Sequence, residues 1–403
     1  MSKDSKRVPI STISSDLGPV DPTDIVRALD EIIRRAVVAR ASDIHIETKA
    51  DRVRVRYRVD GVMSEQPYMP LAAAAPLVSR IKVLARMDIA ERRQPQDGTF
   101  KSELGRGRTV SLRASTFPSY DGEKAVMRLL QSNAIMGLET LGLGQGQVQT
   151  VRKLTRTTGG LVLVTGPTGA GKTSTLYSML AELDTSRLNI VTLEDPIEMQ
   201  LPDITQGQVN PRAGFTFATG LRAILRQDPD VILVGEMRDA ETAQIAIQAS
   251  LTGHLVLSTM HTNSTIATIT RLMDIGVEPY IVANALVGVL AQRLVRMVCP
   301  RCSQSYTLDQ DVTADVGFPL PEGASLQRAV GCEHCMYTGF KGRRGVFEVV
   351  EVTDPVQGLI KKKAQAKDYK ALLREMGVPT LRRVAMRQAL KGRTTASEVL
   401  RVT

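Results

Sequence analysis

Gly166-Pro-Thr-Gly-Ala-Gly-Lys-Thr173 fits the G-x-x-x-x-G-K-[ST] pattern of a phosphate-binding loop. Upstream, Leu161–Thr165 is short, apolar and β-branched, which predicts a buried strand. Downstream, Thr173–Leu180 predicts a helix. A glycine-rich turn between strand and helix directs backbone N–H groups at a polyphosphate, and the positive end of the helix adds to them. On this reading Gly166, Pro167, Thr168, Gly169, Ala170 and Gly171 form the cradle and Ser174 follows it. Lys172 reaches the β- and γ-phosphates and Thr173 holds Mg²⁺. The alternative is a glycine turn that binds nothing; the agreement of motif and context favours the phosphate site.

The chain has 403 residues, long enough for roughly two or three domains, and is 43% hydrophobic, enough for real cores. It has no Trp and only 4% aromatic residues, so base stacking on nucleic acid is not its main chemistry. A net charge of +10 suits anionic partners: nucleotide, acidic protein, lipid headgroups or nucleic acid. The start, Met1–Arg7, is not followed by an apolar targeting core. The longest apolar stretch, Ile281–Ala291, contains Asn284 and is too short to span a bilayer. A cytoplasmic chain is expected, touching membrane only through partners or an anionic-lipid contact.

All four cysteines fall in two C-x-x-C knuckles, Cys299/Cys302 and Cys332/Cys335, separated by 29 residues. Two such knuckles supply four thiolates at tetrahedral angles, which suits a structural Zn²⁺. His334 lies inside the second knuckle as a possible substitute ligand, with all-Cys preferred. A redox pair or two disulfides are the competing readings.

Along the chain, residues 1–20 read as a flexible tail and 21–133 as a small α+β domain opening at Asp21-Pro22. Within it Arg52, Arg54, Arg56 and Arg58 alternate, so all four face one side of a strand. That stripe is either a solvated face or an interface with something acidic. Residues 134–146 are glycine-rich and weakly periodic, a linker. From 147 to 298, short apolar strands alternate with helices: Leu161–Thr165, Asn189–Leu193, Val231–Val234 and Leu255–Ser258. This is the pattern of a parallel sheet covered on both faces, with ligands at the carboxyl ends of its strands. Residues 299–337 form the tetracysteine subdomain and 338–403 a helical C-terminal part.

Three further motifs fall at those strand ends. Glu194, Asp195 and Glu198 crowd within five residues beside the phosphate site. Hydrolysis needs a carboxylate to orient or deprotonate water, and Glu198 is assigned that role. Asp228–Asp239 is a strand ending in an acidic residue, where Glu236 supports Mg²⁺. His261 follows the next strand and is placed to sense the γ-phosphate, while His254 stands at the sheet's other end; packing is the default for either.

These motifs, GPTGAGKTSTLY (166–177), TLEDPIE (192–198), DPDVILVGEMRD (228–239) and GHLVLSTMHTN (253–263), in this order resemble the secretion-superfamily ATPases, the motors of type II secretion and type IV pili. ASDIHIE (41–47), RYRVDG (56–61), RQPQDG (93–98) and 111–130 carry the same resemblance, which covers nearly all of the chain after residue 20. It implies an α/β fold: a RecA-like P-loop ATPase core, a smaller PAS-like N-terminal domain and a zinc-ribbon insert. It also implies a homohexamer that hydrolyses Mg·ATP beside inner-membrane platform proteins, with nucleic acid not expected. In the family, arginines of the N-terminal domain reach the nucleotide; the matching positions are Arg113 and Arg128. Arg222, Arg226 and Arg238 match further basic positions. The tetracysteine insert resembles the assembly branch (GspE-like secretion and PilB-like pilus extension ATPases), and its spacing the secretion member, with pilus extension the alternative. Such members usually begin with a further docking domain. Here about 20 residues precede the α+β domain, which implies a separate anchor or a different mode of docking. A nucleic-acid translocase and a nucleotide-gated scaffold are the remaining readings.

Overall fold

The computed structural model describes residues 24–105, 108–130, 135–307, 321 and 323–403. The expected tail and the Asp21-Pro22 helix start lie outside the described residues. The chain divides into two compact units. One comprises Met1–Asn133, Cys299–Ser303 and Ala329–Gly342; the other Ala134–Val298, Gln304–Arg328 and Arg343–Thr403. Both tetracysteine knuckles thus pack with the first unit.

The first unit is an antiparallel sheet with helices on one face. Its helices are α1 (Ile25–Val38) and α2 (Ala74–Leu84). Its strands are β1 (Ala41–Thr48), β2 (Arg52–Val59), β3 (Val62–Glu65), β4 (Met69–Pro70), β5 (Gln96–Gly105), β6 (Arg108–Ser119) and β7 (Gly122–Leu130). The order is β3-β2-β1-β7-β6-β5, with β4 also on β2. α1 forms because Ala28, Leu29, Ile32, Ile33 and Ala36 recur at helical spacing and are all buried, and because the Asp24 side chain accepts the Arg27 N–H at 3.1 Å. In β2, Val53, Val55 and Tyr57 point to this core, and the Tyr57 hydroxyl donates to the Ile32 carbonyl at 2.8 Å. The arginines on the other side find carboxylates on neighbouring strands: Arg54 with Glu65 at 2.8 Å, Arg56 with Glu47 at 2.5 Å and Arg58 with Asp43 at 3.7 Å. The stripe carries its own counter-ions.

The second unit begins with a segment expected as a linker but packed in the structure. Residues 138–143 carry α3 (Leu138–Leu141), and Leu138, Leu141 and Leu143 are buried against the core. Three leucines supply the burial that a glycine-rich composition masks. Helix α4 (Gln145–Thr155) leads into β8 (Gly160–Thr165), and α5 (Lys172–Leu180) follows the P-loop. The sheet continues with β9 (Ile190–Glu194), β10 (Thr205–Gln208), β11 (Val231–Val234), β12 (Leu255–Met260) and β13 (Leu286–Val298). The long apolar stretch of the sequence therefore splits, ending helix α9 (Pro279–Ala285) and then opening β13. A two-stranded ribbon, β14 (Gln304–Thr307) and β15 (Ser325–Arg328), precedes β16 (Phe340–Glu351). The order is β10-β9-β11-β12-β8-β13-β16, and β10, β9, β11, β12, β8 and β13 run parallel. β8, β9, β11 and β12 are buried at every position, as a sheet covered on both faces requires. The other crossover helices are α6 (Phe217–Ile224), α7 (Ala240–Leu251) and α8 (Thr265–Asp274). The chain closes with α10 (Asp354–Lys361), α11 (Ala366–Glu375), α12 (Leu381–Leu390) and α13 (Ala396–Val402).

Glu398 fastens α13 to β13. Its buried carboxylate accepts from the Arg296 backbone N–H at 3.0 Å, the Arg296 Nη2 at 2.8 Å and the Arg401 Nη2 at 2.6 Å. Burial alone pushes its pKa up, but the bonds from Arg401 and Arg296 outweigh that and hold it below the ordinary glutamate value. A depressed folded-state pKa adds stability that is complete above the unfolded value of about 4.3 and is lost as pH falls through the folded value. Glu398→Ala is expected to cost about 3 kcal/mol near neutral pH, because it removes the buried carboxylate that accepts from both Arg296 and Arg401. In thermal unfolding the gap between variant and wild type should narrow below about pH 4; a gap independent of pH would contradict the charge-based account.

Candidate functional site

The parallel register brings the motifs to one edge of the sheet. Thr165 pairs with Met260, Val234 with Ser258, and Val234 with Leu193. The segments leaving β8, β9, β11 and β12 therefore emerge together: the P-loop, Glu194 with Asp195, Glu236, and His261. This is the carboxyl edge, where open α/β sheets bind ligands.

At Gly169 and Gly171 the P-loop adopts positive φ, +78° and +88°. A Cβ on Gly166 would lie 2.6 Å from the Gln292 carbonyl oxygen, and one on Gly171 would lie 2.9 Å from Gln292 Nε2. Only glycine fits at these two positions. Thr173 and Ser174 lie in the first turn of α5. The Lys172 ammonium folds onto the loop and donates to the Gly166 carbonyl at 2.8 Å. Burial, with Arg293 nearby, lowers the Lys172 pKa, and Glu236 opposes the shift.

Glu236 and His261 meet: Nε2 of His261 lies 3.4 Å from the Glu236 carboxylate. The same carboxylate pairs with Arg238 at 2.5 Å, and that hydrogen bond raises the Arg238 pKa. Glu194 is buried and held from three sides, by the Tyr177 hydroxyl, the Thr192 hydroxyl at 2.6 Å and Gln206 Nε2 at 3.1 Å. Burial and then the bond to Glu194 push the Tyr177 pKa up. Asp195 and Glu198, in contrast, are exposed in the loop after β9. A loop carboxylate in water suits contact with a substrate; Glu194 acts as a fixed internal acceptor. His254 stands at the opposite sheet end, its Nδ1 2.9 Å from the Ala249 carbonyl oxygen, a cap on α7. Arg222 pairs with Glu241 at 2.7 Å, and Arg226 donates to the Arg222 carbonyl at 2.8 Å.

Arg113 and Arg128 belong to the first unit, where they are cross-strand partners on β6 and β7. Arg128 donates to Asp43 at 2.9 Å.

Sequence reasoning missed Tyr177, Gln292 and Arg293. Gln292 is buried, accepts from the Thr175 hydroxyl at 2.8 Å and stands against Gly166 and Gly171. Arg293 donates to the Asn263 carbonyl at 2.9 Å, and burial lowers its pKa. The available signal was a polar pair, Gln292-Arg293, inside the apolar run of β13.

In the tetracysteine cluster the four Sγ atoms all lie within 4.8 Å of one another. Separations of 3.9 Å (Cys299–Cys332), 3.7 Å (Cys302–Cys335) and 3.8 Å (Cys332–Cys335) are too long for disulfides. They match the ~3.8 Å edge of a tetrahedron with Zn–S bonds of about 2.3 Å. Backbone N–H groups of Gly331 and Gly339 donate to Cys302 Sγ and Cys335 Sγ at 3.3 and 3.2 Å, as thiolate ligands favour. His334 sits outside the cluster, its Nε2 2.9 Å from Lys341 Nζ.

Comparison with known proteins agrees with this geometry. Residues 20–401 match the family model described as "Type II/IV secretion system protein". Type II secretion system protein E of Pseudomonas aeruginosa is 49% identical over 95% of this chain and 76% of its own length. Type II secretion system ATPase E of Vibrio cholerae is 47% identical over the same shares. Type IV pilus assembly ATPase TfpB of Acinetobacter baylyi is 44% identical over 94% of this chain and 65% of its own. Among solved structures, the pilus retraction motor PilT with bound ADP superposes with a TM-score of 0.62 at 27% identity, covering 93% of this chain and 96% of that one. The Legionella pneumophila ATPase DotB shares the fold, with a TM-score of 0.67 at 20% identity over 92% of this chain and 94% of its own. The chain belongs to the type II/IV secretion system protein family and is a P-loop ATPase of that family.

Proposed function

We propose that this chain is the homohexameric motor of a type II secretion system, hydrolysing Mg·ATP to drive pseudopilus assembly at the cytoplasmic face of the inner membrane. The observation that carries this reading is the shared carboxyl edge of β8, β9, β11 and β12, which gathers the P-loop, two acidic segments and His261. Higher identity to type II secretion relatives, 49% and 47%, favours secretion over pilus extension, whose relative stands at 44%. No helix among the described residues is long and apolar enough to cross a membrane. The family resemblance supports contact with inner-membrane platform proteins, and the net charge of +10 suits a contact with anionic lipid.

In this mechanism Lys172 and the amides of Gly166–Thr173 hold the β- and γ-phosphates. Thr173 and Glu236 are the residues that would hold Mg²⁺, which neutralises charge between the phosphates. Glu194 and Asp195 bound the site from the β9 side. Glu198, exposed in the loop after β9, acts as the base. His261, bonded through Glu236 to the edge of the site, reads the γ-phosphate. Arg113 and Arg128 stabilise charge as it develops there. Cys299, Cys302, Cys332 and Cys335 are the residues that would hold a Zn²⁺, whose part with four protein ligands would be structural.

Three outcomes test the proposal. ATPase rate per chain should rise steeply with protein concentration across the micromolar range, because neighbours complete each site. A negligible rate at every concentration, with a hexamer present by mass measurement, would remove the motor reading. Glu198→Gln should lower turnover by about 10²-fold or more and keep ATP binding; near-normal turnover assigns the base elsewhere. Cys332→Ser should lose zinc and lower the unfolding temperature, and one zinc per chain retained in metal analysis would show the ligand set to be wrong.

A further inference from the structure

A second concavity, about 330 Å³, lies in the unit that holds the P-loop and shares no residue with it. One wall is the glycine turn into α4, with Gly144 and Gly146; the other is the end of α12 and the residues beyond it, with Arg387, Lys391 and Arg393. Arg344, near the start of β16, closes the base. Four cationic side chains thus line one small cavity, and no Asp or Glu lines it. Among the described residues none of the four has a carboxylate partner. The Nε of Arg344 is buried and makes no hydrogen bond. Burial and the neighbouring Arg393 both lower the Arg344 pKa, as expected where like charges converge.

Convergent cations without counter-ions cost stability, and a buried guanidinium N–H without an acceptor adds to that cost. A ligand that brings negative charge and several acceptor oxygens offsets both. Guanidinium forks match the oxygens of a phosphate in pairs. The opposite wall is the start of α4, where first-turn amides have no acceptor within the helix. The volume is at the lower end for small-molecule sites, and no aromatic side chain lines the cavity to stack on a base or ring. We propose that this cavity binds a compact, multiply charged phosphate group, carried by a free oligophosphate or by a lipid headgroup.

Two probes separate those sources. The first is calorimetric titration of the full chain with inorganic pyrophosphate, with ADP saturating so that the P-loop is filled. The second is flotation with phosphatidic acid–phosphatidylcholine vesicles, whose headgroup is a phosphomonoester. Each is repeated with the Arg344→Gln/Arg393→Gln variant, whose ADP affinity serves as the control for folding. The expected result is pyrophosphate binding that weakens at least about tenfold in the variant while ADP binding is kept. Vesicle binding lost in the variant, without pyrophosphate binding, assigns the phosphate to a lipid headgroup. If neither probe binds the wild type, or if the variant binds both as the wild type does, the proposal fails. Should the double variant fail to fold, Arg387→Gln, at an exposed position on α12, carries the same test with a smaller expected loss.

Discussion

Between Thr165 and Lys172 the backbone turns through a space in which no side chain fits beside Gln292. Cβ atoms on Gly166 or Gly171 would meet the carbonyl oxygen and side-chain nitrogen of that residue at 2.6 and 2.9 Å. Gln292 cannot yield, because it is buried in β13 and its Oε1 is held by the Thr175 hydroxyl of α5. One residue thus ties the strand beside β8, the loop and the following helix together. The loop's shape is set before any ligand arrives, so its amides need little reorganisation to take up a phosphate. Preorganisation of this kind makes the rest of the edge usable, since Glu236 and His261 are positioned by strands in register with β8.

The electrostatics of the edge follow from that geometry. Lys172 and Arg293 are both partly withdrawn from water, and each has its pKa lowered by burial. Glu236 lies close enough to Lys172 to offset part of the cost, but its carboxylate is already shared between Arg238 and His261. Glu348 acts on Arg293 and Asp195 on Arg238, so the cations beside the loop are offset only in part. In the proposed mechanism a polyphosphate would offset that charge, and the lysine bonded to the Gly166 and Pro167 carbonyls would exchange those acceptors for charged oxygens. The buried Glu194, fixed by Tyr177, Thr192 and Gln206, holds the start of the acidic loop still and leaves Asp195 and Glu198 in water.

Sequence alone disclosed the parts that depend on period and on special residues. Strands β8, β9, β11 and β12 were readable because a doubly covered strand is apolar at every position, and Val231–Val234 agrees to the residue. The cysteine spacing foretold a cluster, and the sulfur separations have the size it implied. Other features were hidden for definable reasons. Gly137, Gly142 and Gly144 masked the leucines between them, so a packed turn and helix read as a linker. Gln292 and Arg293 were hidden by the apolar run around them, since their partners are far away in sequence. The grouping of the knuckles with the N-terminal unit depends on contacts between segments some 200 residues apart, which no local pattern encodes. The arginine stripe of β2 was visible, but its carboxylates sit on β1 and β3 and depend on strand register.

Register also explains how Arg113 and Arg128 can stand side by side. Directly opposed guanidinium groups on neighbouring strands repel. Asp43, buried on β1 and in register with both Arg58 and Arg128, offsets the repulsion from one side. Its carboxylate accepts from Arg128 and from the Ser42 hydroxyl at 2.8 Å, so Arg128 is oriented. Arg113 has no carboxylate partner among the described residues, and its side chain is exposed. The row across the sheet therefore holds one tethered and one uncommitted guanidinium, with positive charge left over. Fully paired arginines would gain little from an added anion, and two unpaired ones would splay apart. Asp43 lies on the side of Arg128 away from Arg113, so it draws that guanidinium toward β1 and leaves Arg113 able to meet charge that would develop on a phosphate, which is the property the proposed hydrolysis asks of it.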